Sequence, residues 1–337
     1  MQEEYILCCD WGTTSFRLRL ASINGEVLSE INSEKGILFF YNDWLKKNNK
    51  DTEHRFRFFL QYIQSQTGLL QPPLKLDLTT LPIVISGMAI SSIGMMNMPY
   101  EGLPFSVNGT SGFACQFQEN GAPVILITGV SGGDDLMRGE ETQIVGLFHT
   151  PELNSSLPQN GIFILPGTHS KHVTIANANI ISIKTFMTGE LFSILMENGT
   201  LSKSIQFIHS DKNEDPINTA AFIKGIHASK SGSLLHSLFQ IRVNDILAKS
   251  SKEENFYYLS GLLIGSEFNY LIDNPVLSKL NKLIICCTQY FIPYYKTVLK
   301  ELGLYEEAIF IDPFLFDKAT VLGQLTVYKK YIQSNHS

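Results

Sequence analysis

The sequence predicts an α/β protein built from two similar halves, and three observations carry that prediction. An apolar strand, a Gly-Thr-x-Ser turn and a second strand stand at the head of each half, in Ile6–Leu20 and again in Ile162–Ala176. Gly12, Thr13 and Ser15 recur as Gly167, Thr168 and Ser170, each 155 positions later. Short apolar runs then alternate with longer segments of helical period, the pattern of sheets flanked by helices. At 337 residues and 37.8 kDa the chain is long enough for two cores.

In the first half the opening apolar run ends on a lone carboxylate, Asp10, followed by the small hydroxylated turn Gly12-Thr13-Thr14-Ser15. Phe16, Leu18 and Leu20 then alternate with Arg17 and Arg19, the period of a half-buried strand, and Asn24-Gly25 starts a hairpin turn. Small residues let backbone N–H groups converge on an anion, and hydroxyls add donors. A carboxylate beside that anion repels it unless Mg²⁺ lies between, since Mg²⁺ is held by one or two carboxylates together with substrate phosphates. These residues alone fit equally an ordinary hairpin in which Asp10 caps its own turn. Recurrence of the turn in the second half favours phosphate.

A polar region follows Ser33. Phe56, Phe59, Leu60 and Ile63 then give Thr52–Thr67 helical spacing, closed by Pro72-Pro73. Leu81–Ser86 reads as a buried strand, 89–107 as a long irregular loop, and Pro123–Val130 as another strand. The run 129–133 leads into a helix expected over Asp134–His149, with acids near its start. Arg138-Gly-Glu140-Glu141-Thr-Gln143 is the densest polar cluster on that helix. Its plain reading is an exposed, internally paired face; its position between a glycine turn and the second hairpin favours a role in a cleft. The polar stretch Pro151–Gly161 marks the expected boundary, giving domains 1–155 and 156–337, with the last helix packing back on the first. Helices are expected at 217–229, 234–249, 256–272, 293–302 and 317–332, and short strands at 283–287 and 308–311.

A net charge of −6 and a pI near 5.8 lack the basic face of a nucleic-acid binder. The acidic N-terminus lacks a signal-peptide pattern, and no run reaches the roughly 20 apolar residues that span a bilayer. The five cysteines, mostly adjacent pairs in apolar runs, read as reduced core residues of a cytoplasmic protein. The eight histidines show no metal-ligand spacing, and neither a G-x-x-x-x-G-K-[ST] loop nor a G-x-G-x-x-G turn is present. Gly129-Val-Ser131-Gly-Gly133 fits a G-x-S-x-G elbow, so a serine hydrolase using Ser131 is the remote alternative. It lacks an oxyanion-hole loop upstream and leaves both Gly-Thr hairpins unexplained.

Two Asp/Gly-Thr hairpins in duplicated halves resemble the actin-like, hexokinase-like ATPase superfamily. That resemblance implies two ribonuclease H-like domains, each a mixed five-stranded sheet flanked by helices, with a cleft between them. Residues 137–143 (MRGEETQ), 166–171 (PGTHSK), 187–191 (MTGEL) and 260–267 (SGLLIGSE) narrow it to the 2-dehydro-3-deoxygalactonokinase family. The implied reaction is transfer of the ATP γ-phosphoryl to the 6-hydroxyl of 2-dehydro-3-deoxy-D-galactonate with Mg²⁺. On that resemblance Asp10 holds the metal through water. Gly12, Thr13, Thr14, Ser15, Gly167, Thr168, His169 and Ser170 grip phosphates, and Lys171 neutralises charge. Asp135, or Asp134, is the general base, and Arg138 pairs with the sugar acid's carboxylate. Gly261, Gly265 and Thr288 line the adenosine side, while Gly87, Met88, Ser91, Tyr100, Glu140 and Glu190 join Arg138 around the sugar acid. A small-molecule substrate and a monomer or homodimer are expected, with no nucleic-acid or membrane partner. The segment Ala89–Met95 departs from the family's usual glycine- and tryptophan-containing loop, so another keto-deoxy sugar acid, or a sugar, is the alternative substrate. A nucleotide-dependent sensor on the same fold is the non-enzymatic alternative.

Overall fold

The computed structural model describes residues 5–47, 52–71, 76–109, 114–119, 122–153, 156–207, 218–274 and 282–335. The expected Pro72-Pro73 breaker and positions 154–155 of the expected linker lie outside these residues. Contacts divide the chain into two compact units: Met1–Gln159 with Ala176–Ile183 and Phe314–Ser337, and Asn160–Ile175 with Lys184–Pro313.

The first unit begins with β1 (Tyr5–Trp11), β2 (Phe16–Ser22) and β3 (Val27–Ser33), then α1 (Ile37–Lys46), α2 (Thr52–Thr67) and β4 (Ile83–Gly87). The strands β5 (Glu101–Gly102), β6 (Phe105–Ser106), β7 (Ala114–Glu119) and β8 (Ala122–Ile127) follow, and then β9 (Val130–Ser131), β10 (Leu136–Met137) and α3 (Glu140–Phe148). The sheet runs β3-β2-β1-β4-β8-β7. The strand β1 is antiparallel to β2 and parallel to β4, and β8 is parallel to β4. Its apolar run is continuous because it is covered on both faces; Leu7, Cys9 and Trp11 enter one core with Phe16, Phe40, Phe59 and Leu60. The Trp11 ring meets Phe16 edge-on at 5.0 Å and Phe40 and Phe59 at 5.4 Å.

The helix α1 stands where only a polar region was expected. Its buried positions, Ile37, Phe40 and Trp44, have helical spacing, but exposed Leu38, Phe39 and Leu45 fill the gaps between them and erase the pattern. The helix after residue 133 is shorter than expected: Asp134 and Asp135 occupy the turn of the β9–β10 hairpin, and α3 starts only at Glu140.

The second unit holds β11 (Gly161–Leu165), β12 (Ser170–Ala176), part of β13 (Asn179–Phe186), α4 (Thr188–Glu197), α5 (Thr219–Ser231), α6 (Leu234–Ile246), α7 (Lys252–Ile272), β14 (Leu283–Ile285), α8 (Ile292–Glu301) and β15 (Ala308–Phe310). Its strands repeat the first arrangement: β11 is antiparallel to β12 and parallel to β14, which is parallel to β15. The shared order is that of the ribonuclease H-like fold. Each of the two large sheets has six strands where five were expected, and β10-β9-β5 form a small third sheet. The additions are short or weakly patterned edges, β7 and β6; β7 alternates half-buried Cys115 and Phe117 with glutamines, so no apolar run announces it.

The last helix, α9 (Pro313–Asn335), is counted with the first unit. It crosses α3 at two glycines: a Cβ on Gly146 would lie 1.7 Å from the Ala319 carbonyl, and one on Gly323 1.9 Å from that of Thr142. From this helix Gln324 donates to the Cys9 carbonyl at 2.8 Å and to Ser86 Oγ at 2.9 Å, pinning the ends of β1 and β4. All five cysteines are free thiols, and burial pushes those of Cys8, Cys9, Cys286 and Cys287 up.

Candidate active site

The first Gly-Thr turn is held from behind. The carbonyls of Gly12, Thr13 and Thr14 accept from the amides of Ile37, Leu38 and Gly36 at the start of α1, at 3.0, 3.1 and 3.2 Å. A trans peptide points its N–H opposite its C=O. Clamping three consecutive carbonyls therefore turns the amides of Thr13, Thr14 and Ser15 the other way, toward the side where Thr14 and Ser15 are exposed. Three convergent N–H groups with three hydroxyls form an anion-binding nest. Gly36 makes this clamp possible, since a Cβ there would lie 2.2 Å from the Thr13 carbonyl oxygen.

Asp10 precedes this nest at the end of β1 and lines a recess of about 270 Å³ with Ser15, Arg17 and Glu34. Burial raises its pKa; Arg17 and Arg19 pull it back, and the charges of Glu140 and Asp317 push it further up. A carboxylate so placed gains from a cation. Two glycines bring the other acids near: a Cβ on Gly87 (φ 89°) would lie 2.8 Å from the Trp11 carbonyl and 3.4 Å from Asp10 Oδ1. One on Gly139 (φ 109°) would lie 3.3 Å from Gly87 Cα. Both positions need φ > 0 and close approach, which glycine alone supplies cheaply.

Immediately around Gly139 the polar cluster is ordered. Arg138 is nine-tenths buried, its guanidinium 4.1 Å from the centroid of Tyr100 and its Nη2 donating to the Met98 carbonyl at 3.2 Å. Among the described residues, its Nε and Nη1 are buried and find no hydrogen-bond partner. Gly129 lies beneath, where a Cβ would strike Arg138 Cγ at 2.5 Å and Tyr100 Cε1 at 2.9 Å. Glu140 opens α3 and accepts the Arg138 amide at 3.0 Å. Glu141 is fully buried, accepts the Gly139 amide on both oxygens at 2.8 Å, and is pushed up to about 8, chiefly by burial and then by Glu140. Ser91 Oγ is likewise buried and finds no partner among the described residues. Met88 is half-buried beside Gly87.

Asp135, the expected base, is on the β9–β10 turn rather than at a helix start, and its Oδ1 accepts its own neighbour's amide, Leu136 N, at 2.8 Å. Ser131 is on the same hairpin and donates to the Asp135 carbonyl at 3.3 Å. It stands on no strand-to-helix elbow, which removes the geometric basis of the hydrolase alternative.

In the second unit Gly167 and Thr168 are exposed, and the Thr168 carbonyl accepts from Glu190 N of α4 at 2.9 Å, so the His169 amide points outward. His169 Nε2 pairs with the Glu190 carboxylate. Gly189 lets α4 approach, since a Cβ there would lie 2.5 Å from the Gly167 carbonyl oxygen. Ser170 and Lys171, expected to face phosphate, are buried in β12: Ser170 Oγ donates to Glu267 Oε1 at 2.7 Å, and Lys171 Nζ to the His169 carbonyl at 2.9 Å. They support the turn from within.

Beside this turn lies a cavity of about 380 Å³ lined by Gly167, Thr168 and Thr188, by aromatic Phe192, Phe256, Tyr290 and Tyr294, and by Ser260, Leu263 and Ile264 of α7. Gly261 and Gly265, expected to line it, face the other way: a Cβ on Gly261 would lie 2.0 Å from the Phe222 carbonyl of α5, and one on Gly265 2.5 Å from Ser229 Oγ. They permit helix crossing, and the ligand face of α7 is one residue around. Thr288 is exposed and lies outside the lining, to which its loop contributes Tyr290 and Phe291 instead. Sequence reasoning gave no role to these aromatics, to Glu141 or to Glu267, although Glu141 and Glu267 both lay in blocks already singled out, 137–143 and 260–267.

Compared with known proteins, residues 10–316 match the family model described as 2-keto-3-deoxy-galactonokinase. The chain belongs to that family. This family member is 28% identical over 269 residues to the Rhizobium meliloti (strain 1021) protein named probable 2-dehydro-3-deoxygalactonokinase DgoK1, covering 78% of this chain and 79% of that one. Against the Escherichia coli (strain K12) 2-dehydro-3-deoxygalactonokinase it is 30% identical over 192 residues, 55% of this chain and 60% of the relative. A crystal structure from Sinorhizobium meliloti, provisionally named a 2-dehydro-3-deoxygalactonokinase, superposes with a TM-score of 0.77 at 25% identity over 96% of each chain. Among the described residues no helix is long and apolar enough to cross a membrane, and no group of three His, Cys, Asp or Glu side chains could hold a metal.

Proposed function

We propose that this protein is an ATP-dependent kinase that phosphorylates the 6-hydroxyl of 2-dehydro-3-deoxy-D-galactonate. Membership of the family carries the reaction class. The single observation that carries the acid substrate is Arg138, a cation nine-tenths buried over Tyr100 with Nε and Nη1 unspent. A guanidinium with free donors in a desolvated place is suited to a carboxylate, since charge-assisted hydrogen bonds are strongest there. A neutral sugar would leave those donors unpaired, at a cost of about 1–3 kcal/mol each.

The roles divide by unit. In the first, Arg138 binds the sugar acid's carboxylate, with Ser91 Oγ, Gly87 and Met88 along the same wall. Glu140 accepts the proton of the attacking hydroxyl as its oxygen bonds to phosphorus and the bond to the β–γ bridging oxygen breaks. We assign the base to Glu140 rather than Asp135 because Glu140 opens α3 and its charge acts on Asp10. The outward amides of Thr13, Thr14 and Ser15 stabilise phosphoryl charge. In the second unit the aromatic cavity takes the nucleoside, and Thr168 with the His169 amide takes its phosphates.

The donor set fits Mg²⁺. Asp10 is a hard oxygen ligand beside a phosphate nest, raised by burial and by Glu140, and a water-mediated site with substrate phosphates requires no all-protein cage. Bound there, the ion would neutralise charge on the transferring phosphoryl group. A coupled assay over a panel of 2-keto-3-deoxy sugar acids and neutral sugars tests the proposal. Turnover with the galactonate is expected; no turnover with any sugar acid overturns it, and preference for another keto-deoxy acid would reassign the substrate to the loop 89–95.

A further inference from the structure

Glu267 has no role in the reading above, yet it is buried and accepts hydrogen bonds from side chains of other elements. It lies on α7, 1% exposed, and is an acceptor for three side chains from two other elements. Oε1 accepts from Ser170 Oγ at 2.7 Å and from His172 Nε2 at 2.8 Å, and Oε2 from Thr188 Oγ1 at 2.7 Å. The Tyr295 hydroxyl, from α8, joins the same group through both Ser170 and Glu267. Ser170 closes the second Gly-Thr turn, Thr188 opens α4, and Thr188 and Tyr295 both line the aromatic cavity.

We propose that Glu267 is a positioning residue for the nucleotide: its charge locks the phosphate turn, the start of α4 and the wall of the nucleoside cavity into one stance. The inference rests on the reading that this cavity and turn take ATP. An ionised carboxylate only accepts, so its four lone-pair sites suit a ring of donors, and it fixes the hydroxyl directions of Ser170 and Thr188 and the proton of His172 on Nε2. Among the described residues His172 Nδ1 is buried and finds no hydrogen-bond partner, so none of them competes for that orientation. With Ser170 and Thr188 tied to one carboxylate, the Thr168 carbonyl stays under the Glu190 amide, and the His169 N–H keeps its outward aim. Neutralising Glu267 puts an amide N–H against at least one of these donors and loosens that tie. An effect confined to the nucleotide follows, because the sugar-acid residues belong to other elements.

The test is steady-state kinetics on Glu267→Gln, with Ser170→Ala and Thr188→Val as variants that each remove one donor and leave the charge. Glu267→Gln is expected to raise the KM for ATP by about 10- to 100-fold, the loss of one charged hydrogen bond, with the KM for the sugar acid within about twofold. Each single-donor variant should shift the KM for ATP the same way by less, and Glu267→Asp should recover part of it. A purely structural carboxylate would lower Tm while leaving both KM values unchanged or moving them together, and that result overturns the proposal. If Glu267→Gln does not fold, unchanged KM for ATP in both single-donor variants overturns it equally. Wild-type protein that shows no saturation by ATP removes the nucleotide reading and this inference together; wild-type saturation with an unaffected Glu267→Gln removes this inference alone.

Discussion

The two Gly-Thr-x-Ser turns share a sequence and a backbone device, yet their side chains are used oppositely. In both, the following helix reaches back to hold turn carbonyls, three in the first and that of Thr168 in the second, and so aims the next amides outward. In the first turn Thr14 and Ser15 remain exposed and a carboxylate, Asp10, precedes them. In the second the matching serine is buried against Glu267, and Leu165-Pro166 stand where the first has Asp10-Trp11. The two turns thus share a backbone held from behind, while the residues beside them differ, acids at the first and aromatics at the second. The general lesson is that a turn motif specifies amide geometry, and burial of its hydroxyls decides whether they bind ligand or hold the turn.

The sharpest way to break this division is at the acids of the first unit. Glu140→Gln is expected to lower kcat by about 10²–10⁴, the range for removal of a general base, while Asp135→Asn stays within about threefold of wild type. Comparable losses in both variants would return the base to the β9–β10 turn. Next comes Arg138→Ala, expected to raise the KM for the sugar acid about 10- to 100-fold with the KM for ATP unchanged. Equal loss for acidic and neutral sugars would show that Arg138 packs the site rather than reads the carboxylate.

A smaller effect is expected on the other side. Gly189→Ala brings a Cβ to 2.5 Å of the Gly167 carbonyl, so α4 must shift and the KM for ATP should rise by about threefold to tenfold while the KM for the sugar acid holds. The last concerns stability alone and leaves activity unchanged. Glu141 titrates near 8 when folded against an ordinary glutamate value of 4.5 when unfolded. Between those values the folded state holds the extra proton, so stability falls as pH rises from about 4.5 to 8, by up to about 1.4 kcal/mol per pH unit from this group. Denaturant unfolding of Glu141→Gln over that range should show a flatter profile; an unchanged slope would mean Glu141 is ionised in the fold.

Several features were legible in the chain alone, because they depend on short-range pattern. Periods of apolar residues placed α2, α7 and the central strands, and the recurrence of Gly12-Thr13 as Gly167-Thr168 announced two halves of one design. Asp10 stood out because a charge ending an apolar run needs a reason, and Arg138 because it belongs to the densest polar cluster of an expected apolar helix. What the sequence could not decide is direction. Gly261 and Ser260 are adjacent, and only the packing of α7 on α5 shows that the glycine meets a helix while the serine meets the cavity. The helix α1 was hidden because exposed Leu38, Phe39 and Leu45 filled its polar face, and Asp135 read as a helix start because a glycine turn looks alike before a strand or a helix. Glu267 and Ser170 are 97 residues apart, and their hydrogen bond exists only once α7 lies against β12. Local pattern is written in neighbouring residues; which side of an element faces the ligand is set by what packs on the other side.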